Sequence, residues 1–182
     1  MNDRHPGLLA SLVIGVAALA GCASPPSTPS ALATAPTIAP RFSVADVAWS
    51  NGPGTATVEG IARVGLSAVR TCAGAEAQLV PTSASATAMM RTVFGNATRG
   101  YVTLASSPAY PREIPPDFPR SIRRVACSAS GEFRFERVPA GSWYVFANVV
   151  WREGDEAVPR GGSLMRRVEV SEQAKVRVVL EP

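Results

Sequence analysis

The chain has 182 residues, 46% of them hydrophobic, with 18 Lys and Arg against 14 Asp and Glu, a formal charge of +4. That size suits one ordinary domain plus a tether and leaves no room for a second globular unit, while the apolar content suffices for one core. The positive balance comes almost wholly from arginine, since Lys175 is the only lysine; it reflects either genome composition or a preference for anionic envelope polymers over neutral ones.

The first feature in chain order is an apolar stretch from Leu8 to Ala20, behind Asp3 and Arg4. It is too short to cross a hydrocarbon core of about 30 Å, which takes about 20 helical residues. It has the dimensions of a signal-peptide core. Its end, Leu19-Ala20-Gly21-Cys22, resembles a bacterial lipobox. The resemblance implies a signal peptide over 1–21, cleavage before Cys22 and acylation of Cys22, so that membrane lipid becomes a partner through that residue. Several acyl chains hold a protein durably where one holds it marginally. The alternative is an ordinary secretory peptide cut at an Ala-x-Ala-like site, with Cys22 incidental. Ala23 and Ser24 stand where an inner-membrane lipoprotein often carries Asp. By the same resemblance the expected location is therefore the cell envelope, lipid-anchored at the outer membrane and facing the periplasm.

Residues 22–40 are Pro, Ser, Thr and Ala with little else. Such a composition cannot bury enough apolar surface to offset chain entropy, so a disordered, proline-extended linker is expected. The folded part, 41–182, alternates in the manner of strands and shows almost no helical period. Strands are predicted over Phe42–Ala48 and Thr55–Arg63, separated by the turn signal Asn51-Gly52-Pro53-Gly54, and over Ala75–Val80. In 131–138, Phe133 and Phe135 share one face while Glu132, Arg134 and Glu136 share the other, giving a dry and a wet side. After a turn at Pro139-Ala140-Gly141, Ser142–Trp151 is apolar on both faces and should be covered on both. Met165–Val170 and Lys175–Leu180 complete the set.

These residues carry a second resemblance. Thr57-Val58-Glu59-Gly60-Ile61-Ala62, Gly74-Ala75-Glu76-Ala77-Gln78-Leu79-Val80-Pro81, Gly131-Glu132-Phe133-Arg134-Phe135 and Val138-Pro139-Ala140-Gly141-Ser142-Trp143 resemble the carboxypeptidase regulatory-like domain, with Trp143 where that family usually has Tyr. The resemblance covers 41–81 and 128–182. It implies an all-β fold, a transthyretin-like Greek-key β-sandwich of about seven strands, used as a non-catalytic accessory module. Segment 82–126 departs from the pattern as a long insertion. It contains Ala88–Phe94, readable as helix or strand, a predicted strand over Gly100–Leu104, and a proline-rich run from Pro108 to Pro119. It is expected to form an ordered flap over one sheet, covering Tyr144 and Phe146.

Setting Cys22 aside leaves Cys72 and Cys127, an even pair in an oxidising compartment, which should form one disulfide at the base of the insertion. Free buried thiols or a redox pair are the alternatives, the latter disfavoured by a spacing far from Cys-x-x-Cys. The only histidine, His5, lies in the predicted signal peptide. Ser-His-Asp, Cys-His and histidine-metal chemistry are thereby excluded from the mature chain. The transthyretin-like fold has an enzymatic branch acting on 5-hydroxyisourate, and its histidine-dependent site has no counterpart here. A two-carboxylate glycosidase stays formally open. The turn Glu153-Gly154-Asp155-Glu156, however, reads as solvated and departs from calcium-loop spacing, and Gly161-Gly162 lacks the Lys-Ser/Thr of a phosphate loop. No enzyme activity, cofactor or metal is expected.

Two binding readings follow. One is a structural or protein-interaction module pairing with an unknown envelope protein through a sheet edge or the long flap. The other is a carbohydrate-binding or envelope-polysaccharide-binding module. Trp143 and Trp151 read as core, whereas Trp49 and Tyr110 flank turns and are the exposed aromatic candidates. Arg120, Arg123 and Arg124 are the candidates for gripping phosphate or carboxylate, against the favoured reading of a solvated, solubilising face. Arg166 and Arg167 alternate across a strand and cannot form one cluster. Nucleic acid is not expected as a partner outside the cytoplasm.

Overall fold

The computed structural model describes residues 40–65, 68–106, 117–154 and 158–182. The predicted signal peptide, Cys22, the linker as far as residue 39, Tyr110, most of the proline-rich run, and Asp155 with Glu156 lie outside the described residues. The described residues form a β-sandwich. Its strands are β1 (Ala56–Val64), β2 (Arg70–Thr71), β3 (Glu76–Pro81), β4 (Arg99–Thr103), β5 (Arg123–Ala126), β6 (Glu132–Val138), β7 (Gly141–Trp151), β8 (Arg160–Val170) and β9 (Lys175–Leu180), with one α-helix, α1 (Ala84–Phe94).

In the smaller sheet β1 pairs antiparallel with β6 and parallel with β9, while β2 adds a short antiparallel pairing at the end of β1. The larger sheet is antiparallel throughout, in the order β4-β8-β7-β3-β5. Seven strands lie outside the insertion, and the insertion contributes the other two, β4 and β5, as the two edges of the larger sheet.

Between the sheets lies one core, built from Val58, Phe133, Phe135, Val178 and Leu180 on one side and Leu79, Trp143, Val145, Val149 and Leu164 on the other. The alternation of β6 places Phe133 and Phe135 inside and Glu132, Arg134 and Glu136 in solvent, as its sequence requires. A second cluster covers the opposite face of the larger sheet: Val80, Tyr144 and Met165 meet Ala86 and Met90 of α1, and Phe118. The flap thus covers Tyr144 and Phe146, and the Tyr144 hydroxyl bonds Thr87 Oγ1 at 3.1 Å. Coverage of the outer face of β7 ends there, for Val150 is 48% exposed.

Helix α1 settles the open reading of 88–94. Ser83 caps it, with Oγ accepting from Ala86 N at 3.1 Å, and Gly95 ends it in the left-handed region. Ala86, Met90 and Val93, spaced four and three apart, form the buried stripe. The predicted strand over Phe42–Ala48 is replaced by a 3-10 helix, Ala45–Asn51. Val47 and Ser50 are its buried pair, three residues apart, as one turn of such a helix dictates. A strand would have sent Val47 and Ser50 to opposite faces.

Within β4 and β8, Arg99 and Arg166 are direct register partners and both are exposed. Like charges opposite one another in a sheet are destabilising. Arg99→Glu is expected to raise stability by up to about 1 kcal/mol, seen as a higher urea midpoint with an unchanged m-value.

Candidate functional site

Register, not sequence proximity, assembles the most organised polar surface. On the outer face of the smaller sheet Glu59 of β1 sits beside Arg134 of β6 and Arg177 of β9, with Lys175 one pleat away. Glu59 Oε1 lies 3.0 Å from Lys175 Nζ and accepts from Arg177 Nε at 3.1 Å, while Oε2 accepts from Arg134 Nη1 at 3.0 Å. The hydrogen bond from Lys175, reinforced by Arg177, holds the Glu59 carboxyl below its ordinary value against partial desolvation. Arg134 is further fixed by Glu136, Nε to Oε1 at 3.0 Å. At the end of the same face Arg63 pairs with Glu181 at 3.1 Å.

This network flanks an open hollow of about 850 Å³, lined among others by Glu59, Ile61, Ser128, Arg134, Arg177 and Val179. Each oxygen of Glu59 is already taken by a cation, so the hollow presents surplus N–H donors over a partly apolar floor. Donors held by mutual pairing lose little freedom on meeting a ligand, and guanidinium forks match vicinal hydroxyls or carboxylates. Among the described residues no three His, Cys, Asp or Glu side chains come together as metal ligands.

The residues singled out in the sequence are dispersed. Cys72 and Cys127 form a disulfide with Cα atoms 5.8 Å apart. Trp49 is no exposed platform. It packs edge-on against Trp143, ring centroids 4.9 Å apart, and lies over Gly141, where an added Cβ would fall 2.3 Å from the indole. The 3-10 helix is the cause, because it turns Trp49 back onto the sandwich. Trp143 is wholly buried and Trp151 half-buried, with its Nε1 donating to Glu153 Oε1 at 3.3 Å. Trp143 therefore offers no open face, and Trp49 and Trp151 are each partly buried against the core.

The three arginines do not form one patch either. Arg120 pairs with Asp117 at 3.2 Å and Arg124 donates to Pro119 O at 3.4 Å. Arg123 and Arg124 alternate across β5, so they leave the sheet on opposite sides. Arg123 donates to the carbonyls of Arg137 and Glu136 at 2.9 and 2.8 Å, joining β5 of one sheet to β6 of the other. Arg166 and Arg167 do separate, Arg167 reaching Ser142 Oγ at 2.8 Å and Glu169 at 3.1 Å. Glu153 pairs with Arg160 at 3.1 Å. The pair Gly161-Gly162 belongs to β8. A Cβ at either would fall about 2 Å from a carbonyl oxygen of a neighbouring strand, Val149 or Val102, so close strand approach explains these glycines.

No family model matches the chain, and no curated protein matches it. Among solved structures the fold is similar to a putative carbohydrate binding protein from Pseudomonas aeruginosa, with a TM-score of 0.66 and 20% sequence identity, over 80% of this chain and 100% of that one. At that identity the likeness defines a shared all-β sandwich.

Proposed function

We propose that the chain is a non-catalytic, lipid-anchored module of a bacterial cell envelope that binds polysaccharide in the hollow beside Glu59. The observation that carries this reading is the pair of pre-oriented donors on Arg134 and Arg177 lining an open hollow, both fixed by Glu59, which Lys175 also pairs. Sugars are recognised through such planar hydrogen-bonding groups as well as through aromatic faces, and here the donors supply the recognition. Support of a different kind comes from the similar fold of a putative carbohydrate binding protein, and from the resemblance of 41–81 and 128–182 to the carboxypeptidase regulatory-like domain, a non-catalytic accessory module. The lipobox resemblance at Leu19–Cys22 supplies the anchor and the outer-membrane address.

The test is co-sedimentation of the full chain, in neutral detergent, with purified peptidoglycan and with outer-membrane polysaccharide over a salt series. Binding is expected, and Arg177→Ala should weaken it about tenfold, the loss of one charge-assisted hydrogen bond. Because the hollow is open to solvent, part of the binding should fall away as salt screens the arginines. Absence of binding to either polymer at every salt concentration overturns the polysaccharide reading and points to an envelope protein docked at a sheet edge. In cells, Cys22→Ala should move the protein from the membrane to the soluble fraction. Retention on the membrane would refute the anchor.

A further inference from the structure

The C-terminal end of β6 breaks its own alternation. Phe133 and Phe135 point inward, so Arg137 is next in phase for the core. Instead Arg137 is exposed and Val138 is fully buried. The register against β1 slips between Ala56↔Val138 and Val58↔Phe135, so that Glu136 and Arg137 together oppose Thr57. This is a β-bulge, a device that re-aims a side chain. Its backbone cost falls on Arg137, which adopts φ +52°. Glycine is the unstrained residue for that conformation, yet the position carries arginine.

The bulge turns the carbonyls of Glu136 and Arg137 towards β5, where the Arg123 guanidinium takes both at 2.8 and 2.9 Å. The Arg123 guanidinium is thereby held against the main chain of Arg137, and no carboxylate bonds either arginine side chain among the described residues. Neither Arg123 nor Arg137 has an ion-pair partner among the described residues, and Glu136 is committed to Arg134 on the outer face. Burial, and after it the charge of Arg137, push the Arg123 guanidinium below its ordinary value. Like charges so placed repel, and an anion between them relieves the repulsion while taking N–H donors from both.

We propose that the Arg123–Arg137 corner is a binding site for a phosphate or carboxylate group, with Arg123 as the fixed donor and the exposed Arg137 as the second cation. The bulge explains why Val138 reaches the core. It does not explain why its strained position holds a long cation in place of glycine. An anion site accounts for that choice, since strain retained at one position is a mark of function. The corner lies at the junction of β5 and β6, and neither Arg123 nor Arg137 lines the hollow beside Glu59.

Isothermal titration of the full chain in neutral detergent, with inorganic phosphate and with sodium glucuronate at constant ionic strength, tests the site. One saturable site is expected. Arg137→Gly should weaken it at least tenfold while leaving the thermal midpoint equal to or above that of the parent, because glycine accepts the φ. Arg91→Ala, an equal loss of charge on the exposed side of α1, should leave it unchanged. Saturation by phosphate alone assigns the corner to phosphorylated headgroups, and saturation by glucuronate assigns it to acidic glycans. Either outcome supports the site. Absence of saturation with both probes, or equal affinity in Arg137→Gly, overturns it. A chain that binds phosphate but no polysaccharide keeps this site and loses the hollow beside Glu59, so the two proposals fail separately.

Discussion

Replacing both Cys72 and Cys127 with alanine should lower the stability of the chain by about 4 kcal/mol. The bridge closes a loop of 55 residues, and in the chain-entropy account a closure of that length removes about 14 cal/mol/K from the unfolded ensemble. Within the loop lie β3, α1, β4 and β5, which is to say the flap and both edges of the larger sheet. Both cysteines are buried, and their backbone N–H groups are held by Ala62 O at 3.2 Å and Ala75 O at 2.9 Å, so the two ends stay aligned without the bond. The effect should therefore come mainly from the unfolded state, leaving the fold unchanged but easier to open. Domains of this size hold about 5–15 kcal/mol in all, so the loss is a large share. Urea unfolding of the double variant against the oxidised parent measures it. Equal midpoints would show that the bridge contributes nothing to folding.

Much of the fold could be read from alternation, because a half-buried strand writes its burial pattern directly into its sequence. The strands β3, β6, β7 and β9 were legible to within a residue or so at either end, and the two-faced apolarity of β7 correctly required a cover over Tyr144 and Phe146. The 3-10 helix at 45–51 was not legible. Its apolar residues are few enough to satisfy either period, and Trp49 was misplaced as a result. Alternation also fails where it is broken on purpose. By phase alone Arg137 belongs in the core, and only the slip in pairing against β1 exposes it and buries Val138.

The hollow was invisible for a different reason. Glu59 is 75 residues from Arg134 and 118 from Arg177, so only the register of β1 with β6 and β9 unites them. The parallel pairing of β1 with β9 in particular has no local signal, since no hairpin turn announces it. What the sequence did carry was the alternation of charge along β6, and with it the expectation that one face of the smaller sheet would be wet.

The corner built on Trp143 should give the second large effect, and it also explains why that position is so demanding. Trp143→Ala is expected to cost about 3–5 kcal/mol, the usual range for removing a large buried aromatic. Trp143 is fully buried, donates from Nε1 to Pro139 O at 3.1 Å, and meets Trp49 edge-on. Trp49 in turn needs Gly141, whose missing side chain leaves room for the indole. Phenylalanine at 143 keeps a ring in the core and loses the donor, leaving a buried carbonyl unpaired at a cost of about 1–3 kcal/mol, so Trp143→Phe should fall clearly short of Trp143→Ala. Because Trp49 and Trp143 touch, their losses should not add: the Trp49→Ala and Trp143→Ala double variant should be less destabilised than the sum of the singles. Urea midpoints for the four chains of that cycle measure the coupling. Strict additivity would mean that Trp49 merely lies on the sandwich, and a clear shortfall would mean that the segment before β1 is part of its core.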